Sequence, residues 1–196
     1  LPCGQGYPRS GMNFPGPAQA LAVASLRLEA LMKREAKARV ISLYPNIRPG
    51  MIKDRRKHLA RLTRMIVMAD IVKVSDEDVA WMTGKDDAAA AAKKWLKLGA
   101  KLVVVTRGGK GVEAFTTQGF MTMAAQKVKV ADTVGAGDTF TAGLLTALRA
   151  MKLLDKKKLS ALKAEDLALA LGFAAKAASI TCSRPGANPP WAREMV

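Results

Sequence analysis

Apolar residues recur along this chain at two spacings that take turns. From 18 to 37, Leu21, Ala24, Leu28 and Leu31 share one face while Arg27, Arg34 and Lys37 fall elsewhere, which predicts an amphipathic helix. Arg39-Val40-Ile41-Ser42-Leu43 predicts a short strand, closed by Tyr44-Pro45-Asn46. A basic helix is expected over 53–68, with Leu59, Leu62, Met65 and Ile66 inward. A strand follows over 71–74, and a third helix opens at Ser75-Asp76-Glu77-Asp78 and runs to Gly84. The alanine-rich segment 86–98 predicts a further helix, stopped by Gly99. Lys101 to Thr106 is a continuous apolar strand, the pattern expected where both faces of a parallel sheet are covered. Val112–Phe115 and Phe120–Met123 predict an antiparallel pair around Thr117-Gln118-Gly119. Phe140, Leu144, Leu145 and Leu148 recur at helical spacing from about Thr139, 156–163 reads as a polar connection, and 166–180 as a long buried helix. Alternating strands and helices predict an α/β fold, a doubly wound and mostly parallel sheet flanked by helices. Residues 1–17, rich in Gly and Pro without apolar period, read as an irregular lead, and 18–196 as the folded portion.

Composition narrows the classes. With 196 residues, 49% hydrophobic and 24% charged, the chain can bury one sizeable core. Cys3 and Cys182 stand at opposite ends with no Cys/His cluster, which argues against a disulfide framework or a zinc site and for a cytoplasmic setting. Lys or Arg interrupts every apolar run before the roughly 20 residues of a membrane helix, and the opening lacks a secretory pattern. That opening, without an initiating Met, reads as part of a longer chain. The net charge of +16 raises binding to nucleic acid or another polyanion. The excess is spread over 53–64, 93–97 and 156–163 with no aromatic residues interleaved for base stacking, so that reading is set behind the next one. His58, the only histidine, lies on the basic helix and is expected to face solvent.

The chemistry concentrates in Ala131-Asp132-Thr133-Val134-Gly135-Ala136-Gly137-Asp138-Thr139-Phe140. Two glycines and an alanine remove bulk at a turn that leads into a helix, so successive N–H groups can converge on an anion at the positive end of the helix dipole. Asp138 is the odd residue in such a cradle, because a carboxylate repels phosphate. It is accounted for as a base that accepts the proton of an attacking hydroxyl, or as an ordinary acidic residue in a first helical turn.

The longer string, continued by Ala142-Gly143-Leu144, resembles the C-terminal signature of the ribokinase-like sugar kinases, the PfkB family. The resemblance implies Asp138 as catalytic base and Gly135, Ala136 and Gly137 as the anion hole. Thr106, Gly108 and Gly111 match the family's Val-Thr-x-Gly-x-x-Gly and are implied nucleotide contacts. Ser75 and Asp78 stand where the family has Asn-x-x-Glu, which implies a nucleotide contact at Ser75 and support of Mg2+ through water by Asp78. The same pair also reads as an N-cap with a first-turn carboxylate. Asn46-Ile47-Arg48-Pro49 is similar to the Asp-Pro-Asn-x-Arg-Pro of the fructokinase and ketodeoxygluconate-kinase branches, with Tyr44 in place of the Asp. Asn46 and Arg48 are thus implied substrate contacts, the alternative for Arg48 being a structural role in a turn. Arg184-Pro185-Gly186-Ala187 resembles the family's closing Arg-x-Gly-Ala, and with it Asp132 and the Val134 carbonyl become candidates for a monovalent cation site, K+.

The expected activity is ATP-dependent phosphorylation of a sugar primary hydroxyl, fructokinase-like. The alternatives are a truncated nucleotide-binding remnant without catalysis, and a basic polyanion-binding module. The resemblance covers only the C-terminal portion of the family's length, without its lid, first strands and sugar loop. That gap predicts an exposed sheet edge and association of copies, and it leaves the identity of the sugar open.

Overall fold

A computed structural model describes residues 27–195. The irregular lead expected over 1–17 and the start of the first helix lie outside them. Helix α1 is described over 27–35. After it come β1 (Ser42–Leu43), α2 (Arg55–Met68), β2 (Ile71–Ser75), α3 (Asp76–Thr83), α4 (Ala88–Lys97) and β3 (Leu102–Thr106). The chain continues through β4 (Val112–Thr116), β5 (Gly119–Met123), α5 (Ala136–Ala150), α6 (Lys156–Ser160) and α7 (Ala164–Cys182).

The five strands form one sheet in chain order. β1, β2 and β3 are parallel, with Ser42 opposite Ile71 and Ser75 opposite Thr106, while β4 and β5 are added antiparallel. Side chains of a strand alternate between faces, and β2 and β3 send apolar residues to both. Val72, Val74, Val103 and Val105 join one core with Leu62, Ile66, Val79 and Trp95 of α2, α3 and α4. Ile71, Leu102 and Val104 join the other with Phe140, Leu144, Leu159 and Leu171 of α5, α6 and α7. The sheet is therefore mixed and covered on both faces. A buried hydrogen bond between the Thr139 and Thr181 hydroxyls, 3.1 Å, ties α5 to α7.

Three elements differ from the sequence expectation. The segment 156–163 contains a helix, α6: Asp155 caps it by accepting from the Lys157 and Lys158 N–H groups, and Leu159 and Leu162 are buried. Helix α5 starts three residues earlier than the apolar spacing indicated, because Ala136, Gly137 and Asp138 form its first turn. Leu28 and Leu31 of α1, expected inward, are 49% and 46% exposed, whereas Met32 is buried and Glu29 pairs with Arg64 of α2. His58 is only half-exposed, edge-on to the Trp81 ring with centroids 5.8 Å apart.

Candidate active site

β2 and β3 end level at Ser75 and Thr106, Tyr44 follows the shorter β1, and the turn into α5 lies against this carboxyl edge. Open α/β sheets bind ligands at this position. A cavity of about 410 Å3 opens here, walled by Ser75, Thr106, Gly108, Gly111, Ala136 and Gly137 among the sequence candidates. A wider depression, about 490 Å3, lies at the opposite end of β2. There the buried Asp70 carboxylate takes the Ile41 N–H at 2.9 Å and Lys156 at 2.5 Å, contacts that fasten the segment entering β1 and helix α6 to the start of β2.

At the start of α5, Gly135 adopts φ 79° and serves as N-cap without a side-chain bond. The Ala136 N–H turns back to the Thr133 carbonyl at 3.2 Å. Those of Gly137 and Asp138 have no helical acceptor among the described residues, as expected in a first turn, and remain open to a ligand. The Asp138 side chain is exposed beside them. Asp132 braces the same loop: its carboxylate accepts from Thr133 at 2.6 Å, Val134 at 3.0 Å and Gly186 at 2.9 Å. The Val134 bond first, with those of Gly186 and Thr133, holds its carboxyl below the usual range. Both Asp132 oxygens are thus engaged by main-chain donors, and Val134 is exposed.

On the strand side, Ser75 and Asp78 form a reciprocal cap. Ser75 Oγ accepts from Asp78 N–H at 3.0 Å and Asp78 Oδ2 from Ser75 N–H at 2.9 Å. The other Asp78 oxygen accepts the Ile47 N–H at 2.8 Å, so this buried carboxylate also tethers the loop carrying Asn46 and Arg48. Asn46 takes up a left-handed φ of 45°, which asparagine tolerates better than most residues. Arg48 is exposed and donates to the Ile47 carbonyl at 3.1 Å. Asp76 and Glu77, rather than Asp78, present their side of α3 to the cavity. Replacing Asp78 by alanine strands two main-chain donors, one of them deeply buried. It should lower unfolding free energy by about 2–4 kcal/mol in a chemical denaturation curve, and wild-type stability in that variant would remove the tether from the account.

Two residues in the cavity wall were not singled out as functional by the sequence. Lys73, in the middle of β2, is 1% exposed, and its Nζ stands 3.7 Å from the centroid of the Tyr44 ring. Burial pushes the Lys73 ammonium down to about 8, opposed by the Asp78 and Asp138 carboxylates. Burial, then Asp78 and Asp138, pushes the Tyr44 phenol up to about 12, so the hydroxyl keeps its proton near neutrality. A lysine inside a strand that is apolar on both faces was the available signal.

A family model of pfkB family carbohydrate kinases matches residues 14–193. The chain belongs to that family. Among pfkB relatives, a fructokinase of Rhizobium leguminosarum bv. trifolii is 50% identical over 139 residues, 71% of this chain and 43% of that protein. A probable fructokinase-7 of Arabidopsis thaliana is 31% identical, covering 84% of this chain and 47% of the relative. Among solved structures, the fructokinase of Xylella fastidiosa with bound ATP superposes with a TM-score of 0.75 at 26% identity, over 83% of this chain and 52% of that one. A double mutant of the Vibrio cholerae O395 fructokinase, bound to fructose, ADP and potassium ion, gives 0.69 at 26% identity, over 88% and 52%. This pfkB chain therefore spans about half the length of the relatives it matches. Among its described residues, no group of three or more His, Cys, Asp or Glu side chains is arranged to hold a metal ion, and no helix is long and apolar enough to cross a membrane.

Proposed function

We propose that this chain binds ATP in the cavity at the carboxyl edge of its sheet and carries the phosphoryl-transfer half of a kinase acting on a sugar primary hydroxyl, fructose being the first candidate. The observation that carries the reading is the turn into α5: Ala136 and Gly137 wall the same cavity as Thr106, Gly108 and Gly111, the N–H groups of Gly137 and Asp138 are open, and the exposed Asp138 carboxylate is the next residue after Gly137. In this reading the amides stabilise charge developing on the transferred phosphoryl group, while Asp138 takes the proton of the attacking alcohol.

Asn46 and Arg48, tethered next to the site by Asp78, would meet the substrate. Magnesium, which offsets phosphate charge when bound, would be approached by Asp78 only through water, since main-chain donors engage both its oxygens. Asp76 and Glu77 are the carboxylates already on the cavity wall. A potassium ion beside the anion hole would have the Asp132 loop and the Val134 carbonyl as neighbours, the Asp132 oxygens being occupied by N–H donors.

Isothermal titration with ATP tests the reading: saturable one-to-one binding is expected, and its absence would defeat it. Binding without any transfer to fructose or related sugars would favour the non-catalytic nucleotide-binding remnant.

A further inference from the structure

Lys73 poses an energetic problem that the fold does not solve by itself. Its stem leaves β2 on the face that also carries Ile71, toward α5 and α7, and the residue is 1% exposed. Among the described residues its amine has no hydrogen bond and no ion pair; it meets the face of the Tyr44 ring and its tip is not sealed from the cavity that it lines. Stripping most of the water from an ammonium is costly, and the contact with one aromatic face returns only part of that cost. The remainder would be offset by an anion.

The position of the pair says where that anion sits. A methyl group added to Gly137 would run into Tyr44 Oη and come within 3.1 Å of Lys73 Nζ, so both side chains are packed against the first turn of α5. Both also line the cavity. The amine therefore shares one small volume with the open N–H groups of Gly137 and Asp138. The ring restrains the ammonium without neutralising it: a carboxylate in its place would take up the charge, whereas a phenol ring leaves it for the ligand.

We propose that Tyr44 is a positioning residue whose ring holds Lys73 Nζ at the N-terminus of α5, where the amine binds the terminal phosphate oxygens of a nucleoside triphosphate. This rests on the ATP-binding reading above and adds to it a residue that tells triphosphate from diphosphate. The Asp78 and Asp138 carboxylates oppose the effect of burial on the amine, and the terminal phosphoryl group is the part of the nucleotide that must lie beside Asp138.

Titration of the whole chain with ATP and with ADP, both in excess Mg2+, separates the outcomes. Tyr44→Phe retains the ring and should keep the wild-type preference for ATP. Tyr44→Leu should weaken ATP by about tenfold while leaving ADP within about twofold, the loss expected for one displaced charged contact. Lys73→Met, whose unbranched side chain fills the space of the lysine stem, should show the same selective loss and tests the amine independently of Tyr44. Equal weakening of ATP and ADP in Tyr44→Leu and Lys73→Met would mean a merely structural pair and overturn the proposal. So would a Tyr44→Phe variant as impaired as Tyr44→Leu. A wild-type chain that binds neither nucleotide would overturn the ATP-binding reading as well, whereas wild-type binding with an unchanged ATP-to-ADP ratio in the variants overturns this inference alone.

Discussion

Replacing Gly111 by alanine is expected to destabilise the chain by about 3–5 kcal/mol, a fall in Tm of roughly 6–20 °C for a domain of this size. Gly111 closes the turn between β3 and β4 with φ 103° and ψ −140°, a combination that side chains do not tolerate. Space forbids the substitution too: an added Cβ would collide with the Met123 carbonyl oxygen and stand 2.8 Å from Ala125 N, both backbone atoms that cannot swing aside. The internal control is Gly109, two residues earlier, where nothing lies within 4 Å of an added Cβ. Gly109→Ala should leave stability within about 0.5 kcal/mol. Thermal unfolding of the two variants side by side measures the difference, and equal midpoints would show that the β5 exit can move away from the turn.

Asp138→Asn should lower phosphoryl transfer to a sugar by about two to four orders of magnitude, the range for loss of a general base. The amide is almost the same size and keeps the backbone N–H, so the anion site is preserved while proton acceptance is lost. ATP binding should hold or tighten, because one negative charge is removed from beside a phosphate site. Burial does not complicate the substitution, since the Asp138 side chain is exposed. Steady-state turnover together with titration of ATP reads both quantities. Unchanged turnover would take the base role away from Asp138, and a parallel loss of ATP affinity would assign it to binding instead.

The chain shows where hydrophobic pattern is a sufficient guide and where it is not. Strands β2 and β3 were legible because Val72, Val74, Val103, Val104 and Val105 form apolar runs with both faces covered. The capping pair Ser75 and Asp78 was legible because the serine and the carboxylate stand at the spacing a reciprocal cap requires. The second bond of Asp78, to Ile47, joins residues 31 positions apart and leaves no local trace. Helix α6 was hidden by Lys156, Lys157 and Lys158, which mask the burial of Leu159 and Leu162. Lys73 was absorbed into a strand by its β-branched neighbours. Its burial becomes visible only when the turn before α5 and Tyr44 are brought together from distant parts of the sequence.

The bonds from Asp132 to Gly186, and the close approach of Gly135 to Ala187, join the loop entering α5 to the segment that leaves α7. Arg184 in that segment is paired in turn with Glu194. The tail of the chain is thus a buttress, and whatever grips or displaces it would be felt at the amides facing the cavity without touching them.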